Sequence, residues 1–364
     1  MVVFVSRYPT DSDPRICKYI NACERTNVSW KAITWNRLLT SAPKDHEVHF
    51  NRYSPYGGGI RKNLVGLIGW VFFVWKNLLR DFGQYKVIHA VNLNSYIITM
   101  PFKLFGKKVI LDIYDTDSYK WERRLSPTAN MLILPNEYRF DLIGIDRKCI
   151  KKFLEIENIP AFVADGFVCP TGFCNKGRIT LSYVGSFEKN IRGIENILRL
   201  VITDERFILH LAGSGGGLDS LVKESAEKCE RIVYHGSVPY VEALQIMHKS
   251  DFIMGLYYTN LETGAPTHKY ACPNKYHESL CLMRPIITSV NTFIGDRVIK
   301  GNTGYTVEDT YESLASLFDT WGSQDFEKNY VEKCKDCERI WNSKYINYGK
   351  NVLEGEYISF LQNC

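Results

Sequence analysis

The sequence predicts an α/β protein built of two Rossmann-like domains, and three observations carry that expectation. Short apolar runs of strand length alternate with longer amphipathic segments through most of the 364 residues. The alternation breaks at Cys169–Lys176 (CPTGFCNK) and then starts again. Glycine-rich turns stand at the ends of two strand-like runs in the second half, Gly185–Gly193 and Gly213–Gly217. Strand–helix alternation implies parallel sheets covered on both faces, and ligands of such sheets bind at the carboxyl ends of the strands. The domains expected are 1–170, with 340–364 crossing back to it, and 177–330.

The elements follow in order. Val2–Ser6 is a fully apolar run, the mark of a buried parallel strand. Asp13 and Pro14 then supply an N-cap and a first helical residue. Strands are expected at Val28–Trp35 and Glu47–Tyr53, followed by a long apolar helix. KVIHAV (86–91) and KVILDIY (108–114) are buried strands on either side of a helical stretch around Tyr96–Phe105. Short strands are expected at Asp141–Ile145 and Ala161–Val163, with a basic helix between them. In the second half, strands at Ile179–Val184, Phe207–Leu211, Arg231–Tyr234, Phe252–Leu256 and Pro285–Ser289 alternate with helices.

Composition excludes several classes. Apolar residues make up 45% and charged residues 23%, the balance of a soluble globular protein rather than a disordered one, and no fixed-period repeat occurs. Eleven cysteines are scattered through expected helices and strands, and no secretory signal opens the chain. Free thiols and a cytoplasmic setting are therefore expected. Cys334 and Cys337 form a CxxC, but with Cys169 and Cys174 they make a poor zinc spacing, and no metal is expected.

Charge is uneven. Residues 1–170 hold 24 Lys+Arg against 16 Asp+Glu, and the remainder 21 against 24. The basic half suits an anionic partner. No aromatic platform or recognition motif points to nucleic acid. Asn63–Trp75 (NLVGLIGWVFFVW) is the most apolar segment, flanked by Arg61, Lys62, Lys76 and Arg80. At 13 residues it is shorter than the ~20 that cross a bilayer. Two alternatives stand for 61–80: a core helix, or one lying in a membrane interface.

The chemistry-bearing residues gather in the second half. Glycines in the two turns admit a phosphate, and Lys189 and Arg192 add charge. The spacing matches neither a dinucleotide fingerprint nor a P-loop. Lys275 and Glu278 stand i, i+3 in the helix that opens at PNKYHESL (273–280), and so share a face. A carboxylate there can accept hydrogen bonds from the two ribose hydroxyls, and an ammonium can neutralise a diphosphate. A surface ion pair is the alternative. A capping box is not, because its register requires an acid at 275 or 277, which are Lys and His.

Five stretches, YVGS (183–186) with Arg192-Gly193, LAGSG (211–215), VYHGSVPY (233–240), SDFIMGL (250–256) and PNKYHESL followed by RPII (284–287), carry a resemblance. The second domain resembles family 4-type glycosyltransferases of the GT-B fold. The first resembles them more loosely, through DSDPR (11–15), VIHA (87–90), Val109–Asp115 and ADG (164–166), and the tail from Trp341 through YGKNVLEGEYISFL (348–361) resembles their terminal helix. The resemblance implies two domains facing across a cleft and sugar transfer from a nucleotide-sugar, UDP- or GDP-linked, as substrate. It implies no cofactor, no metal and retention of anomeric configuration. It places the donor against Gly185, Ser186, Lys189, Arg192, Gly213, Ser214, Gly215 and Asn274. Lys275 would meet the diphosphate, Glu278 the ribose, and Val238 with Tyr240 the base.

Three departures stand out. Ser186 occupies the place of a usual Arg or Lys, Tyr270 that of the first of two glutamates, and Tyr114-Asp115 that of a strand-end His. The acceptor falls to the first domain, with Asp115 and His89 as candidates to orient or deprotonate its hydroxyl, and Arg15 and Asp117 beside them. The acceptor implied is a saccharide, lipid-linked as in capsule or lipopolysaccharide assembly. Two rivals remain: a nucleotide-sugar epimerase, and a GT-B subunit that binds nucleotide without turnover.

Overall fold

A computed structural model describes residues 1–39, 41–54, 59–114, 116, 118–159, 167–175, 177–259 and 269–364, the side chains of 12, 14 and 59–62 apart. The chain divides into two units. One is Met1–Glu157 with Asn347–Cys364, and the other is Asn158–Ile346.

In the first unit, the described residues form a sheet of seven parallel strands in the order β3-β2-β1-β4-β5-β6-β7. The strands are β1 Val2–Ser6, β2 Trp30–Asn36, β3 Glu47–Asn51, β4 Val87–Val91, β5 Lys108–Asp112, β6 Met131–Leu134 and β7 Phe153–Glu155. β1 and β4 bury every side chain, as their unbroken apolar runs require of strands covered on both faces. Residue order reverses between β1 and β4, which pair Phe4 with His89.

The helix Pro14–Arg25 starts as its sequence demands. Asp13 accepts hydrogen bonds from the amides of Arg15 and Ile16, and Pro14 takes the first position. Gly59–Arg80 forms one 22-residue helix. It packs Trp70 on Trp35 at 5.9 Å, with Val74 and Leu78 buried along the same face. Gly66 and Gly69 permit that approach, since a Cβ there would stand 3.2 Å from the Trp35 ring and 3.0 Å from Phe50.

The second unit repeats the plan. Among the described residues, six parallel strands take the order β10-β9-β8-β11-β12-β13. These are β8 Ile179–Val184, β9 Phe207–Ala212, β10 Ile232–Tyr234, β11 Phe252–Gly255, β12 Ile286–Ser289 and β13 Gly304–Val307. The reversal here lies between β8 and β11. Residues 169–175, most of the stretch where the alternation breaks, belong to this unit.

Two expectations are corrected, the first being the basic helix expected after residue 145, which is only the 3-10 turn Arg147–Cys149 followed by β7. Asp141–Ile145 is no strand: Arg139–Ile143 is a helix that Gly144 ends in the left-handed conformation, φ 72°. Leu142, Ile143 and Ile145 make an apolar run too short for its period to tell strand from helix, and in the structure Phe140 and Ile143 are buried at helical spacing. The true neighbours are β6 and the three-residue β7. The strand expected at 161–163 lies outside the described residues.

Candidate functional site

The site is built at the carboxyl ends of β8, β9 and β11, where the strand order reverses. The turn after β8 and the glycine run after β9 lock together by backbone. Phe187 N donates to Gly215 O at 2.7 Å, and Lys189 N to Gly216 O at 3.0 Å. Gly213 has φ 127°, and a Cβ on it would fall 2.0 Å from Gly185 O. Gly216 is equally confined by the Glu188 backbone. Gly215 instead faces open space, with φ 83°. The glycine run thus divides its work: Gly213 and Gly216 let two turns touch, while Gly215 leaves backbone open to a ligand.

Two cations meet there. Arg192 Nε donates to Glu188 Oε2 at 2.8 Å, and its guanidinium lies 4.3 Å from the centre of the Tyr257 ring. Its Nη1 is buried and has no hydrogen-bond partner among the described residues. Lys275 is 9% exposed, its ammonium 4.5 Å from the centre of the Tyr183 ring and against Gly185, where a Cβ would stand 2.9 Å from Nζ. Burial and then the charge of Arg192 push the Lys275 pKa down to about 8, against the pull of Glu278 and Glu188. Glu188 is committed to Arg192, and Lys275 makes no ion pair among the described residues, so its buried ammonium favours an anion beside the turn.

Glu278 is 5% exposed and accepts a 3.1 Å hydrogen bond from the Tyr240 hydroxyl. Burial raises its pKa, with Lys275 and Tyr240 opposing. Lys275 and Glu278 therefore form no surface ion pair, since both lie inside. The helix that carries them, Asn274–Leu282, begins after Pro273 with no side-chain cap, as the misfit of the capping register implies. Uncapped amides at a helix start add to the attraction for an anion.

The remaining donor-side residues surround this group. Ser186 does not replace the missing base; its hydroxyl binds Glu188 Oε1 at 3.0 Å and so steadies the partner of Arg192. Lys189 is exposed, anchored through its amide. Ser214 and Ser237 share a 2.9 Å hydrogen bond, which ties the glycine run to the segment holding the half-buried Val238. Asn274 is exposed at the helix start, and Tyr270 is half-buried. Residues 260–268 lie outside the described residues. Sequence reasoning missed Tyr183, Glu188 and Tyr257, which position the two cations; only their place after or within strands hinted at them.

In the first unit, Asp115 and Asp117 lie outside the described residues. His89 is fully buried, its Nδ1 2.9 Å from the Tyr357 hydroxyl and its Nε2 3.4 Å from Asp112. Arg15 is neither at an open surface nor a solvated helix-end charge. It is buried, with Nη2 2.8 Å from Asp112 Oδ1 and Nη1 bound to Ile156 O at 2.9 Å. Tyr19 adds a 2.7 Å bond to the same carboxylate. Burial opposes ionisation of Asp112, yet Arg15 and His89 hold its pKa well below the carboxylate range. Burial keeps His89 below its ordinary value, against the hydrogen bond it donates to Asp112. Both residues are thus part of an internal polar core. A small pocket at the β1/β4 reversal is lined instead by Arg7, Tyr8, Val91, Asn92 and Asn94.

No protein-family model matches the chain, and no curated protein matches it. Solved structures do. Sucrose-phosphate synthase (tll1590) from Thermosynechococcus elongatus aligns over 100% of this chain and 99% of its own at 13% identity, with a TM-score of 0.67. WaaG, a glycosyltransferase involved in lipopolysaccharide biosynthesis, aligns over 100% of both chains at 11% identity and a TM-score of 0.65. Anabaena Alr3699/HepE, solved in complex with UDP-glucose, aligns over 100% and 99% at 12% identity and a TM-score of 0.63. With two parallel sheets of reversed order and likeness along the whole chain, this protein has the GT-B fold of those transferases.

Proposed function

We propose that the protein is a glycosyltransferase that moves a sugar from a nucleotide-sugar, bound in the second unit, to a saccharide acceptor. The observation that carries this reading is the grouping of Arg192, Lys275 and Glu278 at the Gly185 turn, which packs on the glycine run at the reversal point of the second sheet. The cations take the diphosphate and Glu278 the ribose. As the bond from the anomeric carbon to the phosphate oxygen breaks, charge grows on the departing nucleotide. Fixed cations in a buried setting stabilise that charge, so the reading assigns no metal to this step. The acceptor hydroxyl oxygen forms the new glycosyl bond, and its proton passes to the departing diphosphate.

A UDP-linked donor is supported by HepE, which binds UDP and UDP-glucose. A lipid-linked saccharide in surface-polysaccharide assembly is the acceptor assigned, supported by the lipopolysaccharide role of WaaG. The first unit holds that acceptor, and retention of anomeric configuration follows from the resemblance to family 4-type enzymes.

Thermal unfolding with a panel of UDP-, GDP- and ADP-sugars tests the reading. A true donor raises the melting temperature by mass action, and Glu278→Ala removes the rise. Absence of any rise across the panel overturns the donor site. A rise without transfer to any saccharide acceptor overturns the catalytic part alone.

A further inference from the structure

The helix Gly59–Arg80 is apolar on two faces, and only one of them is used. Trp70, Val74 and Leu78 fill the core. The opposite stripe, Leu64, Val65, Ile68, Phe72, Trp75 and Leu79, is exposed, Phe72 by 71%. These positions repeat at helical spacing, so they form one continuous band where a surface helix normally carries polar residues. The patch continues onto the 3-10 helical turn Met100–Phe105. Trp75 packs edge-on against Phe102 at 5.8 Å and Phe82 against Phe105 at 6.2 Å, while Leu104 is 88% exposed. An exposed apolar patch of this extent marks an interaction surface.

Charge identifies the occupant. Residues 59–111 contain eight Lys and Arg and one acid, Asp81. Asp81 is already engaged by Lys31 and Arg80. Lys76 is exposed on the helix flank, and Lys108 is exposed just beyond Phe105. Lys103 lies close enough to Lys151 and Lys108 that, after burial, their charges hold its pKa down. A second copy of the chain would set lysines against lysines, because a two-fold interface pairs a patch with itself. Among the described residues, no helix is long and apolar enough to cross a membrane. An apolar band with a tryptophan and a rim of lysines fits a surface that is apolar below and anionic above.

We propose that this face docks on an anionic lipid bilayer, with Phe72, Trp75, Leu79 and Leu104 entering the interface and the lysines meeting the headgroups. The inference stands on the first unit alone and does not depend on the donor assignment.

Flotation of the full chain with two vesicle types tests it: phosphatidylcholine alone, and phosphatidylcholine containing phosphatidylglycerol. The protein should float with the anionic vesicles, less so as salt rises. Phe72→Glu with Leu79→Glu should lower partitioning at least about tenfold, since two apolar anchors are replaced by charges of the wrong sign. Lys76→Glu with Lys108→Glu should weaken binding to the anionic vesicles selectively. Thermal unfolding and the response to nucleotide-sugar should be unchanged in these variants, which separates this proposal from the donor reading. Quenching of tryptophan fluorescence by brominated lipid in the unaltered protein gives a readout that needs no variant. Equal flotation with both vesicles, no flotation, or no quenching overturns the proposal. So does a dimer in solution that Phe72→Glu dissociates while vesicles are ignored.

Discussion

The Tyr240 hydroxyl donates a 3.1 Å hydrogen bond to Glu278 Oε1, joining residues 38 positions apart in sequence. The bond aims a buried carboxylate before any ligand arrives. Glu278→Gln keeps the shape but removes the charge, and should cost nucleotide affinity about 1.5–3 kcal/mol, the worth of hydrogen bonds to a charged group. Tyr240→Phe removes only the aiming bond and should cost about 0.5–1.5 kcal/mol. Calorimetric titration with UDP measures both. A larger loss in Tyr240→Phe than in Glu278→Gln would contradict the ribose role.

Lys275 should make donor binding sensitive to pH. Its pKa in the free protein is about 8, and a diphosphate must raise it by supplying opposite charge. Affinity should therefore fall as pH climbs through about 8, with proton uptake on binding near that pH. Titrations in two buffers of different ionisation enthalpy detect the proton. The folded value lies below the roughly 10.4 of an unfolded lysine, so the unfolded chain holds more protons between the two. Stability should rise with pH across that window, and Lys275→Met should abolish the rise. An affinity flat from pH 7 to 9 (roughly spanning the shifted value) would exclude the diphosphate contact.

Two glycine substitutions should behave differently. In Gly213→Ala the new Cβ would meet Gly185 O at 2.0 Å at φ 127°, so the two turns must separate. In Gly215→Ala nothing lies within 4 Å, leaving only the cost of φ 83°. Gly215→Ala should lose about 1–2 kcal/mol of stability and Gly213→Ala distinctly more. Urea unfolding ranks them. The reverse order would disprove the division of labour in the run.

The internal cluster of the first unit should govern its acid stability. Arg15→Met leaves Asp112 as a buried charge short of its main partner and should cost about 3–5 kcal/mol. Asp112 has a depressed pKa, so its contribution is full above the ordinary carboxylate range and fades only in strong acid. His89 has a lowered pKa, so the unfolded chain takes up its proton first. Stability should therefore fall as pH drops below about 6.5. His89→Gln should flatten that part of the profile, measured by urea midpoints across pH. An unchanged profile would remove His89 from the account.

Much was legible in sequence where the signal is local. Asp13 and Pro14 named the helix start because a cap is a matter of adjacent residues. The apolar runs of β1, β4 and β8 named a parallel sheet because burial on both faces leaves no polar alternation. The i, i+3 spacing of Lys275 and Glu278 placed them on one face. The same locality failed at Arg139–Ile143, where a short apolar run suits either period until its neighbours are known.

What the sequence determined by itself was the strand–helix alternation apart from β6, β7 and β13, the glycine-rich turns and the residue types available for a phosphate and a ribose. Tertiary structure alone decided the pairing of polar groups. Arg15 meets Asp112 across 97 residues, and His89 meets Tyr357 across 268. It also decided that Gly213 packs while Gly215 stays open, and that Ser186 serves Glu188. The physical reason is the parallel sheet. Every crossover returns the chain to the same end of the sheet, so strand ends far apart in sequence become neighbours, and no local pattern records which side chains will meet there.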